Sequence, residues 1–236
     1  MIIISHIHTK GEIRITRNDE ILNVFSGSLV EVFWQVCERY PEELIIWKEE
    51  HLEIDLQAVD EVFQHSLIMA SFPVNNYFIP EAIGYVDQLP FVNPKKEVKF
   101  PTWRMSTDIG GIFGNTALQF RPFLRNINNF GYLLNSIAKI GQQNSLLCYS
   151  APAFLKSIGK SSTSKIAGTE DLFSFVAQHY KKIRLPVLFL CYIRYENKFP
   201  VFSFVKSLFE KSFFQKRVDL PEIKITSKKV VFPFGF

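Results

Sequence analysis

Glu49, Glu50, Glu53 and Asp55 stand around His51, directly after the apolar run Leu44-Ile45-Ile46-Trp47. Carboxylates grouped in this way can ligate a hard divalent cation, Mg²⁺ or Mn²⁺, and the cation can in turn hold a diphosphate. The apolar run reads as a buried strand ending where the acids begin. In open α/β sheets, ligands bind beyond the carboxyl ends of the strands. Glu49 and Glu50 are therefore the candidate metal ligands, with His51 beside them as a candidate ligand-binding residue. The plainer reading of the same cluster is a solvated loop and helix amino terminus, a position that acids favour.

A second constellation follows in Trp103-Arg104-Met105-Ser106-Thr107-Asp108-Ile109-Gly110-Gly111. Asp108 is the candidate catalytic acid, placed to hold hydroxyls, while Gly110 and Gly111 would let a ligand approach the backbone. A capped tight turn is the alternative for all three. Trp103 can stack on a sugar ring or fill a core, and Arg104 can neutralise a phosphate or form a surface ion pair. His6 and His8 flank Ile7 and would share one face of a strand, as half a metal site or as a polar strand end. Ser157-Ile158-Gly159-Lys160-Ser161 is no phosphate loop, because Phe154 occupies the place of its first glycine. Cys37, Cys148 and Cys191 have no metal spacing and read as buried free thiols of a reducing cytosol.

Positioning these residues requires a regular scaffold, and the pattern supplies one. Ile2–Ile4, Glu12–Ile15, Leu44–Trp47, Leu67–Phe72 and Ser145–Tyr149 read as strands. Ser28 with Glu31 has the spacing of a capping box and opens a helix through Tyr40. Further helices are expected over 56–64, presenting Leu56, Val59 and Phe63, and over 116–124 and 130–140. The alternation predicts an α/β fold with a mostly parallel sheet flanked by helices over residues 1–168. Residues 169–236 form a helical, basic, aromatic-rich extension divided by Pro186 and Pro200, ending in a strand-like tail at 223–236 and packed on the same core. A loop is expected over 158–168.

Composition narrows the function classes. A chain of 236 residues with 47% hydrophobic residues and 24 Phe is not disordered. Its net charge of +4 conceals an asymmetry: residues 1–100 carry 8 basic against 16 acidic residues, and the remainder 19 against 7. A basic C-terminal part wants an anionic partner, either a diphosphate, an acidic domain or a membrane surface. Nucleic acid is not expected, since none of its binding motifs is present. The longest apolar run, Leu185–Ile193, has nine residues and includes Pro186, so no membrane-spanning helix is expected.

The order of strand, acidic turn, helix, glycine block and basic aromatic tail is similar to bacterial family-2 glycosyltransferases of the GT-A fold. More narrowly, it resembles the N-terminal domain that precedes a second, fuller glycosyltransferase domain. The strings carrying the likeness are Tyr40–Trp47, Pro80–Asp87, Pro101–Gly111 and Gln178–Tyr180. The resemblance implies a cytoplasmic GT-A-like domain that moves a sugar from a nucleotide-sugar to a hydroxyl of a glycan or lipid-linked acceptor, with a divalent metal. Three departures stand against it. Lys48-Glu49-Glu50-His51 replaces the family's Asp-x-Asp, few residues precede that turn, and no acid lies within Asn126–Phe130, where the family's base falls. The alternative is a non-catalytic module that supports a partner glycosyltransferase domain or binds peripherally to an anionic membrane.

Overall fold

The computed structural model describes residues 1–7, 12–18, 20–22, 24–74, 76–87, 98–157 and 165–222. His8, most of the loop expected over 158–168 and the tail 223–236 lie outside them. The chain begins with β1 (Ile2–His6), β2 (Ile13–Arg17) and β3 (Glu20–Ile21), followed by α1 (Leu29–Arg39) and β4 (Leu44–Glu49). Next come β5 (Glu53–Ile54), α2 (Leu56–Val62), β6 (Ile68–Phe72), a 3-10 turn at Glu81–Tyr85, β7 (Phe100–Pro101) and β8 (Ile109–Phe113). The remainder is α3 (Gly114–Leu118), α4 (Arg121–Leu124), α5 (Phe130–Gln142), β9 (Leu147–Ser150), β10 (Leu155–Ser157), α6 (Thr169–His179), α7 (Arg184–Tyr195) and α8 (Val201–Leu208).

Among the described residues eight strands form one sheet in the order β3-β2-β1-β4-β8-β6-β9-β7, and β5 pairs with β10 in a second, two-stranded sheet. The α/β class is as expected, but the sheet is mixed rather than mostly parallel. Among the described residues only β1–β4 and β6–β9 pair in parallel in this sheet; β1–β2, β2–β3, β4–β8, β6–β8 and β7–β9 are antiparallel. Two causes are visible. The link from His6 to Ile13 is too short for the crossover that a parallel pair needs. β8, returning from the long segment after β6, then inserts against the direction of both β4 and β6. The strands β1, β4, β6 and β9 still run one way, so their carboxyl ends share an edge.

Period-two alternation divides the core between the two faces of the sheet. Ile45, Trp47 and Met69 face the larger cluster, with Phe33 of α1, Leu134 of α5 and Phe173 of α6. Leu44, Ile46 and Ala70 face a smaller one with Val59 and Val62 of α2 and Phe63 just beyond it. Trp47 is boxed edge-on by Phe33 and Phe130, with ring centroids 6.4 and 5.9 Å away. Because α6 joins the same cluster as Ile112 and Trp103, the helical extension is built into the core of the sheet.

Local signals explain the helix boundaries. Ser28 Oγ accepts from Glu31 N, and Glu31 accepts from Ser28 N at 2.7 Å, so α1 has the capping box its sequence promises. Asp55 caps α2 by accepting from Gln57 N at 3.0 Å, and Leu56 is left exposed instead of packed. Pro186 lies inside the first turn of α7, where a missing N–H costs nothing, so the chain breaks before it at 180–183.

Candidate functional site

Four strand ends and one strand start meet at the shared edge: His6 ends β1, Glu49 ends β4, Phe72 ends β6, Ser150 ends β9, and Asp108 precedes β8. Glu49 N donates to Asp108 O at 2.7 Å and Glu50 N to His6 O at 3.0 Å, so the sequence-distant candidates are held side by side. His6 is buried, and its Nε2 lies 3.0 Å from the Thr107 carbonyl, which requires the proton on Nε2. Of the two expectations for His6, this is the polar strand end, and its partner Thr107 lies about a hundred residues away in sequence.

The two glutamates do not act together. Neighbours at a strand end point to opposite sides. Glu49 is 1% exposed, with its Oε2 3.4 Å from His51 Nε2, whereas Glu50 lies at the surface 3.4 Å from Arg14. Lys48 fixes the turn between them by donating to the carbonyls of Glu50 and Leu52, both at 2.9 Å. Its half-buried ammonium sits below the usual lysine pKa because burial disfavours the charge, an effect that Glu50 and Glu53 oppose. A shared Mg²⁺ or Mn²⁺ needs converging oxygens, and Glu49 and Glu50 do not fit one. Among the described residues, no group of three His, Cys, Asp or Glu side chains is arranged to hold a metal.

The second constellation is built into the scaffold. Asp108 is fully buried, and its Oδ2 accepts from Val74 N at 2.8 Å, pinning the loop after β6 to the sheet edge. Gly110 and Gly111 are paired inside β8, where they replace the expected turn. A Cβ on Gly110 would stand 2.3 Å from the Trp47 ring, and one on Gly111 2.9 Å from Phe63. The glycines therefore admit core rings from either face, and no ligand has access to them there. Trp103 stacks on Phe175 with centroids 5.5 Å apart, under the Lys139 ammonium at 4.7 Å, and leaves no face for a sugar. Arg104 is buried too; its Nη2 donates to Ile79 O at 2.7 Å and its guanidinium lies 4.5 Å from the Tyr77 ring. Burial lowers its pKa from the usual arginine value.

A polar network inside the helical layer was not foreseen from the sequence. Lys139 Nζ donates to Asp87 Oδ2 at 2.7 Å and Tyr180 Oη to the same oxygen at 2.6 Å. The ammonium lies 4.4 Å from the Tyr180 ring. Burial pulls the Lys139 pKa down, against the raising effect of Asp87. Next to it, His179 Nε2 is 3.0 Å from Ser136 Oγ. The available signal was a lysine between Ala138 and Ile140 on an otherwise apolar helix face.

Two adjoining depressions open at the carboxyl end of β1, between the β2–β3 hairpin and the start of α1. The larger, of about 480 Å³, is lined by Ile13, Arg14, Phe25 and Gly27; the smaller, of about 190 Å³, by His6, Glu12, Gly27 and Ser28. The helix terminus facing them is already capped by the Glu31 carboxylate, which disfavours a phosphate there. No protein family, curated protein or solved structure matches the chain.

Proposed function

We propose that the chain is a glycosyltransferase-like α/β domain that does not transfer sugar by itself and instead supports a fuller glycosyltransferase domain. The observation that carries this reading is the divergence of Glu49 and Glu50. One carboxylate is inside the fold against His51 and the other is at the surface against Arg14. A metal shared by the two carboxylates, as the resembled family's Asp-x-Asp would hold it, needs both on one side. The structural duties of Asp108, Trp103, Arg104 and the glycine pair point the same way, since none of them is presented to a ligand.

The test is a thermal-shift panel of UDP- and GDP-sugars, each with Mg²⁺, Mn²⁺ or chelator. A ligand present at about 100 times its dissociation constant would stabilise the fold by about 2.7 kcal/mol, a shift of several degrees. No shift is expected with any donor. A metal-dependent shift that Glu49→Gln abolishes would overturn the supporting role and restore the donor site.

One contact favours a second reading. The His51 ring is 32% exposed and is backed by the Glu49 carboxylate, an arrangement suited to drawing a proton from an acceptor hydroxyl without a metal. On that reading the same donors would be hydrolysed slowly in the presence of chelator, and His51→Gln would abolish the hydrolysis. Intact donors after prolonged incubation remove it.

A further inference from the structure

We propose that the outward face of α7 and α8 is a docking surface for an anionic lipid bilayer, on which the domain lies without crossing it. The inference goes beyond the supporting role above and does not depend on it. In α8 and its C-cap the exposed apolar residues are Val201, Phe202, Val205, Leu208 and Phe209, a single stripe at helical spacing, with Lys206 exposed beside it, while Phe204 and Ser207 turn inward. A helix on a water-facing surface has the reverse arrangement. Phe202 is 75% and Phe209 86% exposed. On α7, Ile183, Val187 and Leu190 repeat the pattern, with Leu185, Leu188 and Tyr192 packed below. Phe189 lies between the helices, 4.9 Å from Phe204 and 5.5 Å from the exposed Phe199, so α7 and α8 pack side by side. An apolar face of this extent marks a contact surface.

Charge identifies the occupant. Between Lys181 and Arg217 the chain carries nine Lys or Arg residues, all exposed, against two acids. Both acids are turned into the body of the protein. Glu196 accepts from Tyr85 Oη at 2.8 Å, and Glu210 from Gln178 Nε2 at 2.9 Å. Lys206 is paired with Glu170, and Lys181, Lys182, Arg184, Arg194, Lys198 and Lys211 are exposed on α7 or in the segments flanking α7 and α8, whereas Lys216 reaches the Phe123 ring instead. Protein interfaces are depleted of lysine at their core. Apolar tips among long cationic side chains suit a bilayer, where the tips enter the acyl boundary and the ammonium groups reach the lipid phosphates. The acidic first hundred residues would be repelled by the same surface, so the basic end is directed towards it. Among the described residues no helix is long and apolar enough to cross a membrane, so the contact is interfacial.

The test is sedimentation of the intact chain with vesicles of phosphatidylcholine containing about one-third phosphatidylserine, against phosphatidylcholine alone. Binding is expected to the anionic vesicles and to be at least about tenfold weaker to the neutral ones. The double variant F202S/F209S removes two exposed rings and leaves the core intact, as an unchanged melting curve would verify. Its affinity should fall by about a hundredfold, a tenfold loss for each ring. K198E/K211E should weaken binding by about twenty-fold or more. A chain that stays in the supernatant, or an F202S/F209S variant that binds like the parent, overturns the proposal. So does a parent that sizes as a dimer which F202S/F209S dissociates, since the face would then join two copies.

Discussion

Gly110→Ala is expected to cost about 3 kcal/mol or more, a large part of the stability of an ordinary domain. The added methyl would stand 2.3 Å from Trp47 Cζ2 and 2.7 Å from the carbonyl oxygen of Ala70. Neither neighbour can yield. Trp47 is held by Phe33 and Phe130, and its Nε1 donates to Ser106 O at 3.0 Å. Ala70 belongs to β6, which pairs with β8 on one side and β9 on the other, so moving its oxygen strains two ladders. Gly111→Ala is the control. Its methyl meets the far end of the Phe63 side chain at 2.9 Å and the Ile45 carbonyl oxygen no closer than 3.3 Å, so a smaller cost of about 1 kcal/mol is expected. Urea unfolding of the two variants decides the matter. Equal midpoints would mean that the Trp47 packing does not set the identity of residue 110.

His179 should steepen acid unfolding. Burial, assisted by the nearby Lys139 charge, lowers its pKa from the ordinary 6.5 to about 3. Its ring is enclosed by Phe175 at 4.3 Å and Phe213 at 5.8 Å, and the Asp87–Lys139–Tyr180 group lies beyond. Above pH 6.5 the imidazole is neutral in both the folded and unfolded chain and contributes no pH dependence. Between 6.5 and 3 the unfolded chain binds a proton that the folded one refuses, so stability falls as the pH falls. The slope approaches about 1.4 kcal/mol per pH unit, and below pH 3 this loss is complete. Carboxylates titrate in the same range, so the informative measurement is a difference. His179→Gln, less stable at neutral pH, should show a shallower decline from pH 6 to pH 4 in urea titrations. Parallel declines for parent and variant would exclude His179 as a source of acid sensitivity.

The features legible in the sequence were those set by near neighbours. The Ser28–Glu31 box, the apolar run of β4 and the pattern of α5 each specify their element within a few residues, and each formed. β8 was hidden, because a five-residue strand with two glycines has the composition of a turn and is stabilised by Trp47 and Phe63 from elsewhere in the chain. The edge that gathers His6, Glu49 and Asp108 was partly legible: the acidic turn was placed correctly at the end of β4. The opposite orientation of Glu49 and Glu50 follows from strand parity alone and could have been read from the residue numbers. The burial of Trp103 could not, since the ring that covers it, Phe175, belongs to a helix some seventy residues later. Hydrophobic patterning fixes which face of an element is covered; only the assembled fold says by what.

The position of β8 also bears on synthesis. Among the described residues β4 and β6 run in the same direction without a ladder between them, and β8 alone joins the β3-β2-β1-β4 half of the sheet to the β6-β9-β7 half. A nascent chain emerging only as far as β6 would carry an open edge on β4 and two on β6, in strands rich in Leu, Ile, Trp, Met and Phe. Such edges invite pairing with other chains. Translation must therefore reach residues 109–113 before the two halves can close, and until then these edges are open to pairing with other chains.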